Sequence, residues 1–189
     1  MRASGTKEKI LKEGRSLLQK HGYNGFSFQD IADKLDIKKP SLYDHFSSKE
    51  ELIAAIIENY STMFDAWAKT ISSLRPLERV RRVFDVFYSF SSDQRKVCPI
   101  LALTVDTQVL SKEVQKEMKA FVEKWLSWLE EQIIEGQTRG EIRKDMDAKA
   151  LAAFIYSQAM GSQFQARIKN EPTLALTSGD MIMALIKKN

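Results

Sequence analysis

The sequence has few of the residues that build catalytic and metal sites. Its 189 residues include one cysteine and two histidines. A single cysteine excludes an internal disulfide and any multi-cysteine zinc site, and no glycine-rich phosphate loop or metal-spaced cluster is present. Because so little is available for an active site, we predict that the protein is not an enzyme and uses no metal and no cofactor.

Turn-forming residues and long apolar runs are also scarce. Eight glycines and four prolines, without alternating runs of valine, threonine and tyrosine, favour an all-α fold over one containing sheets. No apolar run is long enough to span a bilayer, and the chain opens on no signal-peptide core. We therefore expect a cytoplasmic protein with no membrane partner.

Positive charge is concentrated near the N-terminus. The formal net charge is +4, and the first 50 residues hold ten basic and seven acidic side chains, which accounts for three of the four excess charges. A positive N-terminal module on a nearly neutral body favours a polyanion as partner at that end.

Residues 26–46 begin with the pattern of a short helix. Ser27 suits a helix N-cap, and Asp30 three residues later comes close to a capping box. Ile31 and Leu35 are four residues apart and share one face. At Asp36 and Ile37 the pattern breaks, which predicts a turn.

A second short helix is predicted directly after this turn. Pro40 suits its first turn, where the missing N–H is not needed, and Leu42 and Phe46 form its inner face. Its other residues face outward or lie at its start: Lys39, Pro40, Ser41, Tyr43 and His45. Two short helices, a tight turn and a basic second N-terminus are typical of a helix-turn-helix.

The remaining apolar periodicity brings the total to about nine helices. The others are predicted near residues 6–21, 48–74, 76–91, 99–109, 111–138, 147–169 and from 172 onward. No linker rich in glycine, serine or proline follows the N-terminal module, and the helix at 48–74 is shared between the two parts. This divides the chain into a three-helix module at 1–47 and a helical body at 48–189.

The penultimate helix carries small side chains in a row. Ala153, Ser157 and Gly161 are four residues apart, and small residues let another helix approach closely. Packing within the chain and self-association through the last two helices both fit this pattern.

The segment GYNGFSFQDIADKLDIKKPSLYDHFSSKEELI resembles the DNA-binding signature of the tetracycline-repressor (TetR) family of bacterial transcription regulators. The resemblance spans roughly residues 5–55. A weaker similarity to one subgroup covers residues 98–102 and the turn at 140–143. The chain differs from the usual family pattern at four positions of the helix-turn-helix: Asp36, Lys38, Pro40 and Asp44.

The resemblance implies a homodimer that binds a DNA operator. Each subunit would place its recognition helix in the major groove, and the C-terminal domain would form the dimer interface and a ligand pocket. We expect a repressor of a palindromic operator that a small, largely apolar or aromatic effector releases by moving the fourth helix. The alternative functions are a redox or electrophile sensor acting through Cys98 and an architectural DNA binder without an effector.

Several predicted DNA contacts are to phosphates, which position a protein on DNA. Lys49 lies at the N-terminus of the fourth helix, where a lysine and backbone N–H groups together can bind a phosphate. Ser27 and Gln29 occupy the equivalent end of the second helix. Tyr43 offers a phenol and His45 a ring nitrogen. Taken singly, each could instead be a solvated or capping side chain.

Other contacts are predicted to base edges, which specify sequence. Lys39, Pro40 and Ser41 lie at the start of the recognition helix, where lysine favours guanine and a proline ring can pack on a thymine methyl group. The full set of predicted DNA-binding residues is Ser27, Gln29, Lys38, Lys39, Pro40, Ser41, Tyr43, His45 and Lys49.

The candidate pocket and interface residues lie in the C-terminal part. Aromatic and polar side chains of helices four to eight are the pocket candidates, although such stripes also form plain core: Trp67, Phe84, Phe87, Tyr88, Cys98, Phe121, Trp125, Trp128, Tyr156, Gln163 and Phe164. The dimer-interface candidates are Ala153, Ser157, Gly161, Met181 and Leu185.

Cys98 has two interpretations. It fits a small buried apolar residue. It also precedes Pro99 at a helix start, with Arg95 and Lys96 nearby, and such surroundings can lower the pKa of a thiol and make it reactive.

Overall fold

The computed structural model of the protein describes residues 2–93 and 96–188. The helices of this described part are α1 (Arg2–His21), α2 (Phe28–Leu35), α3 (Pro40–Tyr43), α4 (Lys49–Thr70), α5 (Pro76–Ser92), α6 (Pro99–Leu103), α7 (Lys112–Thr138), α8 (Ala148–Lys169) and α9 (Leu174–Ile186). A 3-10 helix, Thr104–Val109, follows α6. The described residues contain no strand, only an isolated β-bridge between Ile142 and Lys187. The all-α prediction is confirmed.

Three predicted helices differ from the observed ones. The first, α1, begins at Arg2, four residues before its predicted start. The helix predicted to reach about Leu74 ends at Thr70, because residues 71–74 form a turn and Arg75 takes the extended backbone that a following proline favours. The helix predicted at 99–109 becomes 3-10 from Thr104. There the hydroxyls of Thr104 and Thr107 donate to carbonyls three residues back.

The chain folds into two compact units, each of which is discontinuous in sequence. The first comprises Met1–Phe64 and Pro99–Lys119, and the second comprises Asp65–Cys98 and Ala120–Asn189. Both α4 and α7 therefore contribute residues to both units. The domain boundary predicted between residues 47 and 48 stays a prediction.

The core of the first unit forms largely as the sequence predicts. Leu35 is only half-buried. The other predicted core side chains are buried: Ile10, Leu17, Phe26, Ile31, Leu42 and Phe46. Gly14 brings α1 close to α4, since a Cβ there would lie 2.9 Å from Leu52 Cδ2.

The second unit is built around α5, α8 and α9. Phe84 of α5 is fully buried. A Cβ on Gly179 would lie 2.8 Å from the Cγ of Phe84, so glycine allows α9 to dock against this ring. Among the described residues, no helix combines the length and the apolar character needed to cross a membrane.

Candidate functional site

The capping box predicted at the start of α2 is present. The Ser27 hydroxyl accepts from the backbone N–H of Asp30, while the Ser27 N–H and hydroxyl donate to Asp30 Oδ2 at 2.7 and 2.6 Å. Asp36 ends the helix in the left-handed conformation, with φ 52° and ψ 48°. Aspartate tolerates this conformation better than most side chains. This explains how the turn forms without glycine.

The capping box makes part of the stability depend on pH. Hydrogen bonds from Ser27 hold the pKa of the Asp30 carboxyl below its usual value. A carboxyl whose pKa is lowered by folding stabilises the folded state at pH values above its unfolded-state pKa. This contribution is lost as the pH falls through its folded-state pKa. We expect Asp30→Asn to lower the urea midpoint at pH 7 and to flatten the loss of stability below about pH 4. The control is Asp44→Asn, which removes an exposed carboxylate outside the capping box. Parallel pH curves for Asp30→Asn and the wild-type protein would contradict this.

The single-turn helix α3 is anchored from one side. Leu42 is fully buried, and the Tyr43 ring packs against Phe28 with ring centroids 5.2 Å apart. Tyr43 nevertheless remains 52% exposed, so its ring is held while its outer part faces solvent. Ser41 and His45 are half-buried.

The other predicted DNA-binding residues of α2 and α3 lie at the surface. Lys38, Lys39 and Pro40 are exposed at the start of α3. Gln29 is exposed on α2 and donates from Nε2 to Asp33 Oδ1 at 2.7 Å. The structure thus places these side chains on the capped helix α2 and at the start of α3, with the two lysines outward.

Lys49 differs from the rest of the predicted set. Its ammonium donates to the backbone carbonyls of Tyr23 and Phe26. It also lies 4.5 Å from the ring centroid of Tyr23 and 4.2 Å from that of Phe26. Burial lowers the pKa of Lys49. Sequence reasoning did not anticipate these partners.

The second unit contains a cluster of aromatic rings. Trp125 is central: its ring centroid lies 5.3 Å from that of Trp67, 5.9 Å from Phe87 and 6.1 Å from Tyr156. The members of this ring cluster are Trp67, Phe87, Phe90, Trp125, Trp128 and Tyr156.

The buried polar side chains of α8 include Gln163 and Tyr156. Gln163 is fully buried; its Oε1 accepts from the backbone N–H of Cys98 at 3.0 Å, and its Nε2 donates to the Phe87 carbonyl at 3.4 Å. Tyr156 is 8% exposed, and within the described residues its hydroxyl has no hydrogen-bond partner. Burial, with Cys98 nearby, raises the pKa of this phenol.

The pocket candidates fall into three groups. Trp67, Tyr88 and Trp128 are half-buried, whereas Phe164 is 64% exposed. The buried candidates are Phe84, Phe87, Cys98, Phe121, Trp125, Tyr156 and Gln163. All of them belong to the second unit.

Cys98 is confirmed as a small buried residue, 4% exposed. Of the two cations predicted beside it, Lys96 pairs with Asp93 at 2.5 Å, and Arg95 lies outside the described residues. A buried thiol of this kind is typically inert.

The outer faces of α8 and α9 carry exposed apolar and small side chains. All five predicted interface residues lie there: Ala153, Ser157, Gly161, Met181 and Leu185. Three large apolar neighbours on the same face of α8 were not predicted as interface residues: Phe154, Ile168 and Phe164, the last of which was predicted to line the pocket. They are 46, 73 and 64% exposed, respectively. Their helical spacing from Ser157 and Gly161 could have identified them.

A capped helix-turn-helix followed by a helical C-terminal region defines the class of helix-turn-helix transcriptional regulators. Residues 10–56 match the family described as bacterial regulatory proteins, tetR family. Residues 76–177, more than half of the chain, match the tetracyclin repressor-like C-terminal domain. The chain belongs to the TetR family, whose members are DNA-binding regulators and not enzymes.

Individual relatives agree with this assignment. The chain is 27% identical to the transcriptional repressor DhaR of Mycobacterium sp. strain GP1, over 89% of this chain and 86% of that one. It is 26% identical to the repressor KstR2 of Mycobacterium tuberculosis, over 77 and 74%.

Solved structures show the same fold along nearly the whole chain. A TetR regulator from Legionella pneumophila has a TM-score of 0.87 and 31% identity, with 96 and 97% of the two chains covered. A TetR-family regulator from Agrobacterium tumefaciens has a TM-score of 0.92 and 22% identity, with 98 and 99% covered.

Proposed function

We propose that the protein is a homodimeric repressor that binds a palindromic operator and leaves it when a small, largely apolar or aromatic effector binds. The observation that carries this is the pair of helices α2 and α3, of which α2 is capped by Ser27 and Asp30. The pair presents Lys38, Lys39 and Pro40 to solvent at the start of α3. The relatives named as repressors, DhaR and KstR2, support repression as the direction of control.

The residues of α2 and α3 divide between positioning and specificity. Tyr43 and His45, with Ser27 and Gln29 at the start of α2, contact phosphates. Residues 39–41 face the base edges of the major groove. The packing of Tyr43 on Phe28 supports this division, because it restricts the ring while the residue remains 52% exposed.

Dimerisation occurs through the outer face of α8 and α9. Single exposed apolar residues are ordinary, but a contiguous apolar face indicates a partner. Phe154, Phe164 and Ile168 flank Gly161, and a Cβ added at Gly161 would meet nothing within 4 Å. The partner is a second copy of this chain, because the two half-sites of a palindrome require two helix-turn-helix segments related by a two-fold axis. The helix-turn-helix at residues 26–46 is called the reading head below.

The effector site lies at the ring cluster beside Tyr156. Buried polar groups normally have a hydrogen-bond partner, so a buried phenol without one requires an explanation. A ligand with an apolar body and one polar atom would pack on the rings and accept from or donate to this hydroxyl. This supports an aromatic or lipid-like effector with a single polar anchor.

Selection of bound duplexes from a random DNA pool tests the regulatory function. We expect a palindromic sequence whose half-sites are centred about 34–36 Å, or a multiple of it, apart. A screen of aromatic and lipid-like compounds should then yield one that releases the duplex. Failure to enrich any sequence would refute sequence-specific binding. A specific duplex that no compound releases would favour an architectural DNA binder.

Tyr156→Phe should stabilise the free protein by about 1 kcal/mol, because it removes a buried hydroxyl that has no partner. Tyr60→Phe is the matched control: Tyr60 is equally buried, at 8% exposed, but its hydroxyl accepts from Gln19 Nε2 at 3.1 Å. That control should destabilise the protein. Urea unfolding of both variants measures the difference, and a loss of stability in Tyr156→Phe would show that the phenol is already satisfied without a ligand.

A further inference from the structure

The Lys49 ammonium is held by the segment that joins α1 to α2. It donates to the backbone carbonyls of Tyr23 and Phe26 and lies over the faces of both rings. A lysine ammonium has three donors, and two of them are directed to these carbonyls. These contacts connect Lys49, the first residue of α4, with Tyr23 and Phe26, which precede it in the chain by 26 and 23 positions, respectively.

The surroundings of this ammonium are electronegative. Besides two carbonyl oxygens and the negative faces of two rings, the carboxylates of Asp30 and Asp106 are close enough to act on its charge. The ammonium therefore faces groups of opposite polarity inside the protein, although burial outweighs the two carboxylates and lowers the pKa of Lys49. A DNA phosphate approaching the same point would meet two carboxylates as well as one ammonium, which weakens the attraction.

The same segment is held from a second side. Asn24 donates from Nδ2 to Asp106 Oδ1 at 2.6 Å. Gly22 begins the segment with φ +77°, where a Cβ would lie 3.6 Å from the Ala102 carbonyl oxygen. Residues 22–26, which lead into the α2 cap at Ser27, are thus fixed by α4 on one side and by residues 102–106 on the other.

We infer that Lys49 is a positioning residue: it fastens residues 23–26 to the start of α4 and so sets the position of α2, instead of binding a phosphate. The expected effect of Lys49 on DNA affinity rests on the proposed function. The attachment of residues 23–26 to α4 does not rest on it and is tested in the absence of DNA.

The first experiment compares Lys49→Met with the wild-type protein in the absence of DNA. Methionine keeps the length and the apolar contact with the rings and removes only the charge and the donors. Amide exchange at Gly25 and Ser27 should become at least about tenfold faster, because the segment opens locally, and the melting temperature should fall by about 2–4 °C. Lys12→Met, an exposed lysine of α1, should change neither. Unchanged exchange would overturn the inference.

The second experiment measures affinity for the selected duplex at several salt concentrations, well below the melting temperature of both proteins. Positioning predicts weaker binding with an unchanged slope of log K against log salt. If Lys49 contacts a phosphate, the slope should become shallower by about 0.9 while amide exchange stays normal. If affinity is unchanged, Lys49 stabilises the fold but does not affect DNA binding. Either result overturns the inference. If the wild-type protein selects no duplex, the proposed function fails, while amide exchange still decides the fastening.

If Lys49→Met does not fold, acetylation of the wild-type protein replaces it. A fastened Lys49 should react slowly with acetic anhydride whether or not DNA is bound. Lys38 and Lys39, which are exposed, should react rapidly in the free protein and be protected by the duplex. Rapid reaction of Lys49 that DNA suppresses would assign it to a phosphate and overturn the inference.

Discussion

Phe164→Glu combined with Ile168→Glu is expected to turn the proposed dimer into a monomer and to lower operator affinity by about 10²–10⁴-fold. Both side chains are largely exposed on α8, so the substitutions leave the interior of the protomer unchanged. In a dimer, the charges would be buried without partners, which is strongly unfavourable. Once separated, the two reading heads no longer benefit from the effective concentration that linkage provides. Sedimentation velocity and binding to the selected duplex measure both effects.

Gly161→Leu tests the same interface by a different route. The protomer has room for the larger side chain, since nothing lies within 4 Å of a Cβ at this position, and leucine is the better helix former. The protomer should remain folded while a second helix can no longer approach closely. Ala66→Leu, at an exposed small residue of α4, is the control and should leave the dimer intact. A Gly161→Leu protein that stays dimeric would place the interface elsewhere.

Lys38→Gln combined with Lys39→Gln should weaken operator binding about 10–100-fold at physiological salt. Both lysines are exposed at the start of α3, and each cation that meets DNA releases counterions on binding. The slope of log K against log salt should therefore become shallower by about 1–2. Fluorescence anisotropy with the selected duplex at several salt concentrations measures both quantities.

The control for this prediction removes the same net charge from α7. Lys112→Gln combined with Lys116→Gln alters two exposed lysines and should leave the slope unchanged. If the two double variants lose affinity equally, binding depends on net charge and not on the α3 surface. In a single variant, Lys39→Gln should also change which base is preferred at one position of each half-site.

Local structure in the reading head follows from neighbouring residues. The capping box of Ser27 and Asp30 and the proline at the start of α3 could be predicted because their partners lie within a few residues. The apolar spacing likewise identified Ile31, Leu42 and Phe46 as core. The end of α4 was placed about four residues too late, since Ile71 continues the apolar pattern although its backbone is already in a turn.

Residue type alone did not determine which side chains line the interior. Phe164 and Gln163 are adjacent in the sequence and were both predicted pocket residues. The structure buries Gln163 fully and leaves Phe164 64% exposed, because successive residues of a helix point about 100° apart. The predicted interface residues are all exposed, but exposure within a single protomer does not test the interface.

The sequence by itself determined the helical class, the capped helix-turn-helix and the TetR family, because caps, periodicity and a contiguous signature depend on residues close together in the chain. Only the tertiary structure decided that the Lys49 ammonium rests on the Tyr23 and Phe26 carbonyls, that the Tyr156 hydroxyl is buried without a partner among the described residues, and that Phe154 and Ile168 remain uncovered. The reason is physical: a side chain's hydrogen-bond partners and its exposure are set by groups that folding brings to it from distant parts of the chain, and no local pattern encodes them.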